Sequence, residues 1–226
     1  MEVYFQLGEA TLATCAMADL LHQVMNEPCF DVLRTKQQLG YVVDCGTRCT
    51  CNVVGFCFVV QSPKLPSALV DQRIEAFVAG FAAALREMGP AKVEEHRAAL
   101  VAEKLEKDDG LSDEAWRHWH EIADYRHCFN RNELEADAMR GITFEALLAW
   151  YEAHFTPGAA KRRRLAIHVQ SQQAPTGESD ASLEAAAPEP AQPLVVDGIH
   201  PWRASAFEHR NSWDIAAEYS GPAEGR

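Results

Sequence analysis

Arg34 and Tyr41 place a fixed cation and a phenol seven positions apart. A guanidinium offers several donors in a rigid fork, and a phenol carries one hydroxyl on a rigid ring. Both are hydrogen-bond donors that could orient or polarise a bound group. Spacing alone leaves a plainer alternative open. Arg34 falls near the end of a helical pattern, where the dipole favours a cation by ~0.3 to 1 kcal/mol, and could be a structural C-terminal charge shared with Lys36. Tyr41 opens a strand pattern and could be an amphipathic residue at the edge of the core.

Other clusters point less clearly to chemistry. Cys45, Cys49, Cys51 and Cys57 fall within thirteen positions. Their C-x3-C-x-C-x5-C spacing is not the paired C-x2-C of a zinc knuckle, so small hydrophobes around a hairpin tip are expected. Cys29 is expected close to the functional surface and open to modification. His118, His120 and His127 face different ways on a helix and read as surface or packing residues. Trp116 and Trp119, at a three-residue step, are expected in the core. The basic run Lys161–Arg164 reads as a solvated entry to a strand.

The elements that would position these residues follow from periodicity. Glu2 to Leu7 reads as a strand ended by Gly8. Leu12, Ala13, Ala16, Met17, Leu20, Leu21, Val24 and Met25 recur at helical steps, with Pro28 expected to kink or restart the helix before it runs on to about Arg34 or Gln38. Leu39 to Cys45 and Val53 to Gln61 form an antiparallel hairpin pattern. A long amphipathic helix from Leu65 to Leu85 is stopped by Gly89-Pro90, and Val93 to Leu105 marks the next. Ser112 and Thr143 are expected N-caps of two later helices, and Leu165, Ile167 and Val169 alternate as a strand. That order implies an α+β fold, an antiparallel or mixed sheet with helices mainly on one face.

Residues 1–170 are therefore expected to be one α+β domain and 171–193 a low-complexity linker of Ala, Pro, Glu, Ser and Gln. Residues 194–226 form a tail in which Leu194-Val195-Val196 and His200-Pro201-Trp202-Arg203 could dock back on the domain. A net charge of −12 over 226 residues argues against nucleic acid or anionic lipid as partners. Seven cysteines, an odd number without a framework spacing, point to a reducing, intracellular setting, expected to be cytoplasmic although an organelle stays open. No stretch reaches the ~18 apolar residues of a membrane helix.

The block Glu27-Pro28-Cys29-Phe30-Asp31-Val32-Leu33-Arg34-Thr35-Lys36-Gln37-Gln38-Leu39-Gly40-Tyr41-Val42-Val43, with Val3-Tyr4-Phe5-Gln6 before it and Phe58-Val59-Val60-Gln61-Ser62 after it, resembles the last domain of insulinase-type zinc metallopeptidases. Weaker echoes continue through Trp119-His120-Glu121-Ile122, Phe129-Asn130-Arg131 and Arg162 to Val169. In that family, four related α+β domains form two halves that close around a chamber, and this chain looks like the fourth. The resemblance implies that Arg34 and Tyr41 bind substrate. Arg34 would orient the peptide backbone, and Tyr41 would act catalytically by donating its hydroxyl to the scissile carbonyl.

The family binds Zn2+ through His-x-x-Glu-His and a downstream Glu, and neither that motif nor its inverse occurs here. Lys92 stands where Glu95-His96 would need a histidine, and Asp124 where His120-Glu121 would. The chain is thus expected to bind no metal or other cofactor, with zinc belonging to a catalytic half missing from it, and to be inactive alone. Its expected partners are peptide substrates, an N-terminal catalytic half or sister domain, or a second copy of itself. Beginning directly in a strand, it is expected to be an incomplete or split piece. Two alternatives remain: a non-catalytic structural or assembly subunit of the same fold, and a redox or zinc-binding cysteine protein.

Overall fold

The computed structural model describes residues 1–169, so the expected linker and tail lie outside the described residues. Four strands form one antiparallel sheet in the order β2-β3-β1-β4: β1 Glu2–Glu9, β2 Val42–Thr50, β3 Val53–Gln61 and β4 Arg164–Ile167. The helices are α1 Leu12–Cys29, continued by a π-helical segment Phe30–Lys36, then α2 Ser67–Lys104, α3 Leu111–Ala123, α4 Arg131–Arg140 and α5 Phe144–Phe155. The expected α+β class holds.

Alternation sorts the sheet into two faces. Val3, Phe5 and Leu7 of β1 and Phe56, Phe58 and Val60 of β3 are buried. Phe5 meets Phe155 of α5 at 4.8 Å between ring centroids, and Phe58 meets Phe77 of α2 at 6.1 Å. On α1, Ala16, Leu20, Leu21, Val24 and Met25 are buried, a stripe at three- and four-residue steps. Each fully buried Phe or Leu contributes ~1.5 to 3 kcal/mol, so this shared layer dominates the fold.

Local chemistry sets the boundaries. Thr11 and Thr143 cap α1 and α5 by accepting from the N–H groups of Thr14 and Ala146 at 3.1 and 3.2 Å. The hairpin closes over two residues, Cys51 and Asn52, both at positive φ (48° and 60°), the conformation whose twist matches paired strands. Gly89, at φ 75°, breaks α2 before Pro90, where the sequence places a stop. β2 runs from Val42 to Thr50 rather than from Leu39 to Cys45, because it pairs with β3 along its whole length.

At Pro28 the helix runs on to Cys29 and resumes as the π-helical segment Phe30–Lys36, marked by the Gln37 N–H reaching the Val32 carbonyl at 3.0 Å. Other expectations need correction. Ser112 is not a cap, since α3 starts at Leu111 after an extended Gly110. Trp116 and Trp119 are not core residues but 58% and 54% exposed. Periodicity identifies an apolar face without saying what covers it. The described residues fall into two compact units, Lys107–Arg131 forming one and Met1–Glu106 with the residues from Asn132 the other.

Ion pairs fasten the larger unit. Lys104 of α2 reaches Asp19 of α1 at 2.8 Å and Glu135 of α4 at 2.7 Å. Burial alone would lower the Lys104 ammonium, but the two carboxylates outweigh it and hold its pKa above the usual value. In the basic run, Arg162 and Arg164 are largely buried and pair with Glu75 and Asp71 on α2. Arg162 and Arg164 thus clasp the entry of β4 to α2, whereas Lys161 and Arg163 are exposed, as a solvated strand entry requires.

Candidate functional site

The π-helical segment decides where Arg34 points. Widening the helix to i→i+5 bonds turns successive side chains less than the usual ~100° per residue. Leu33 and Leu39 are both 1% exposed and anchor the two ends of the exit turn. The Leu39 N–H reaches the Leu33 carbonyl at 3.1 Å, with Gln38 at φ 52° between them. Gly40 then passes so close to the end of β3 that a Cβ there would lie 1.9 Å from the Gln61 carbonyl oxygen. Only glycine fits, and Tyr41 emerges next.

Arg34 and Tyr41 are brought together. The Arg34 guanidinium carbon lies 4.8 Å from the Tyr41 ring centroid and 4.6 Å from that of Phe30, one wide turn back. Two such contacts contribute ~0.5 to 1 kcal/mol each at an exposed site, enough to bias the rotamer without hiding the cation. Tyr41 is 82% exposed, so it is not a core-edge residue. Lys36, by contrast, takes the neighbouring acid Asp31 at 2.7 Å. Arg34 itself is half-buried, and among the described residues no carboxylate pairs with it.

Phe30 and Gly40 escaped the sequence reading of the site. A signal existed for both: an aromatic four positions before a key cation, and a glycine directly before an exposed phenol. Cys29 differs from expectation, being 1% exposed and hydrogen-bonded by the Cys45 thiol. That bond and burial raise the Cys45 pKa well above the usual thiol range, so Cys45 is not a ready nucleophile.

The other clusters do not assemble. Register sets Cys45 opposite Phe58 and Cys57 opposite Gly46, with Cys49 and Cys51 exposed near the hairpin tip. Burial pushes the Cys57 thiol up to about 11. His118 lies 5.4 Å from the Phe129 ring, and His120 lies 5.8 Å from Trp116. Among the described residues no group of three or more His, Cys, Asp or Glu could hold a metal ion. No described helix is long and apolar enough to cross a membrane.

Comparisons with known proteins converge on the same region. The family model described as PQQ synthase PqqF-like, C-terminal lobe domain 4, matches residues 20–119, which include the whole candidate site. A nardilysin-like protein of Arabidopsis thaliana is 38% identical over 172 residues, covering 75% of this chain and 17% of the relative. Insulin-degrading enzyme of Mus musculus is 29% identical over 207 residues, covering 88% of this chain and 20% of the relative. The crystal structure of pitrilysin superposes with a TM-score of 0.58 at 21% identity, over 67% of this chain and 16% of that one. The chain thus spans a fifth or less of each.

Proposed function

The chain belongs to the insulinase-type peptidase family as a C-terminal domain, and on that premise we propose that it is the substrate-holding part of a peptide hydrolase. The observation that carries this reading is the Arg34 guanidinium, set against Phe30 and Tyr41 with no acid paired to it among the described residues. Its fork donates to main-chain carbonyls of a bound peptide, orienting the chain without reading its side chains. The Tyr41 hydroxyl donates to the oxygen of the bond under attack as negative charge grows there. Such donors contribute ~2.7 to 4 kcal/mol to catalysis, roughly 10²- to 10³-fold in rate.

Neither role uses a metal ligand from this chain, so a catalytic half or sister domain completes the hydrolase and supplies the zinc. Cys29, Cys45, Cys51 and Cys57 are not joined in disulfides, which supports a reducing setting such as the cytoplasm.

Complementation tests the reading. The chain is mixed with the zinc-bearing half of a nardilysin-like relative, and cleavage of a quenched fluorescent peptide is followed. Tyr41→Phe lowers kcat by roughly 10²- to 10³-fold with little change in KM, whereas Arg34→Ala raises KM. Rates unchanged in both variants would overturn the assignment.

A further inference from the structure

Six of the twelve exposed large hydrophobic residues among the described residues fall within positions 111–129: Leu111, Trp116, Trp119, Ile122, Tyr125 and Phe129. Trp116, Trp119 and Ile122 of α3 follow three-residue steps, a spread of about 120° on the helix surface at ~100° per residue. The polar side of the same unit is already engaged, Arg117 with Asp108 at 2.8 Å and Arg126 with Glu121 at 2.7 Å. An apolar stripe of this kind normally lies against something.

We propose that the occupant is the chain's own C-terminal segment, residues 194–213. In residues 171–193 only Leu183 is large and apolar, whereas 194–213 holds Leu194, Val195, Val196, Ile199, Trp202, Phe207 and Trp213. One chain therefore carries an apolar stripe on α3, formed by Trp116, Trp119 and Ile122, and a separate apolar segment in its sequence. Residues 170–193 reach up to about 80 Å when extended, so distance sets no obstacle. A covalent tether of that length also gives an effective concentration in the ~mM range, which favours the chain's own segment over a separate partner.

Charge separates the two nearest candidates. A second copy brings −12 against −12, while Arg203 and Arg210 balance Asp197 and Glu208 within residues 194–213. Similarity to the mouse relative covers 88% of the chain, more than residues 1–169 can supply, so sequence beyond Val169 is shared with that relative.

Hydrogen exchange over residues 111–123, compared between the full chain and a chain ending at Pro193, tests the proposal. The expected result is slower exchange of α3 in the full chain, by tenfold or more, at every protein concentration. Truncation removes it while α1 and α2 stay protected. The full-length double variant Trp202→Ser, Phe207→Ser reproduces the loss, and a synthetic peptide of residues 194–213 restores protection to the shortened chain. Equal protection of α3 in the full chain, the truncated chain and the double variant overturns the proposal. So does protection that grows with protein concentration, which would assign the face to a second copy.

Discussion

Gly40→Ala and Gly80→Ala are the same chemical change, and the structure assigns them opposite signs. A Cβ on Gly40 would lie 1.9 Å from the Gln61 carbonyl oxygen, 2.8 Å from its carbon and 3.2 Å from the Ser62 Cα. All three are backbone atoms, which cannot rotate aside, so the turn or the end of β3 must open by about an ångström at a cost of ~1 to 3 kcal/mol. In a domain of this size each kcal/mol moves Tm by ~2 to 4 °C, which puts the fall at roughly 2 to 12 °C. Gly80 lies within α2 with no atom within 4 Å of its Cβ position. Alanine there removes a helix penalty of ~0.8 to 1.0 kcal/mol and raises Tm by a few degrees. Thermal melts followed by circular dichroism read both. In the complemented cleavage assay Gly40→Ala also displaces Tyr41, so adding Tyr41→Phe to it slows the reaction little further. A Gly40→Ala chain that melts at or above the wild type, beside a Gly80→Ala chain that behaves as expected, would refute the close approach and the placement of Tyr41 built on it.

Two further outcomes concern the frame. Because the folded-state pKa of Lys104 is raised, its stabilising effect is complete below the unfolded value of ~10.4 and is lost as pH rises through the folded value. Lys104→Met removes the cation that Asp19 and Glu135 share. The gap in urea midpoint between it and the wild type should be wide at pH 7 and shrink above pH ~10.4; a constant gap rejects the pairing. Tyr151 is fully buried and donates to the Val78 carbonyl at 2.6 Å. Tyr151→Phe keeps the ring and loses that bond, costing ~0.5 to 1.5 kcal/mol in a urea titration, and no measurable change would dismiss it.

What could be read in advance was whatever repeats. The buried stripe of α1 and the limits of β3 follow from steps of three, four and two, and the Gly89-Pro90 break follows from backbone chemistry that no packing alters. β2 hid its second half because Gly46, Thr47, Arg48, Cys49 and Thr50 have little apolar character and are held by pairing with β3. The exposure of Trp116 and Trp119 hid for the converse reason, since periodicity carries no record of the opposing surface. At the site, Arg34 and Tyr41 were legible as residue types and by resemblance. Their shared contact with Phe30 was not, because it depends on a widened turn that leaves no mark in composition.

That widened turn has a consequence for ancestry. A π-helical turn is geometrically an α-helix that has absorbed an extra residue, so the segment Phe30–Lys36 behaves like a one-residue insertion accommodated without a loop. Deleting one residue, Thr35 for instance, would let the backbone relax to ordinary helix and swing the downstream residues by about 100°. Gly40 would then miss its seat beside Gln61. Homologues in which this stretch is one residue shorter are expected to have lost the arginine as well. A single gap column would then sort family members that keep the Arg34–Tyr41 contact from those that keep only the scaffold.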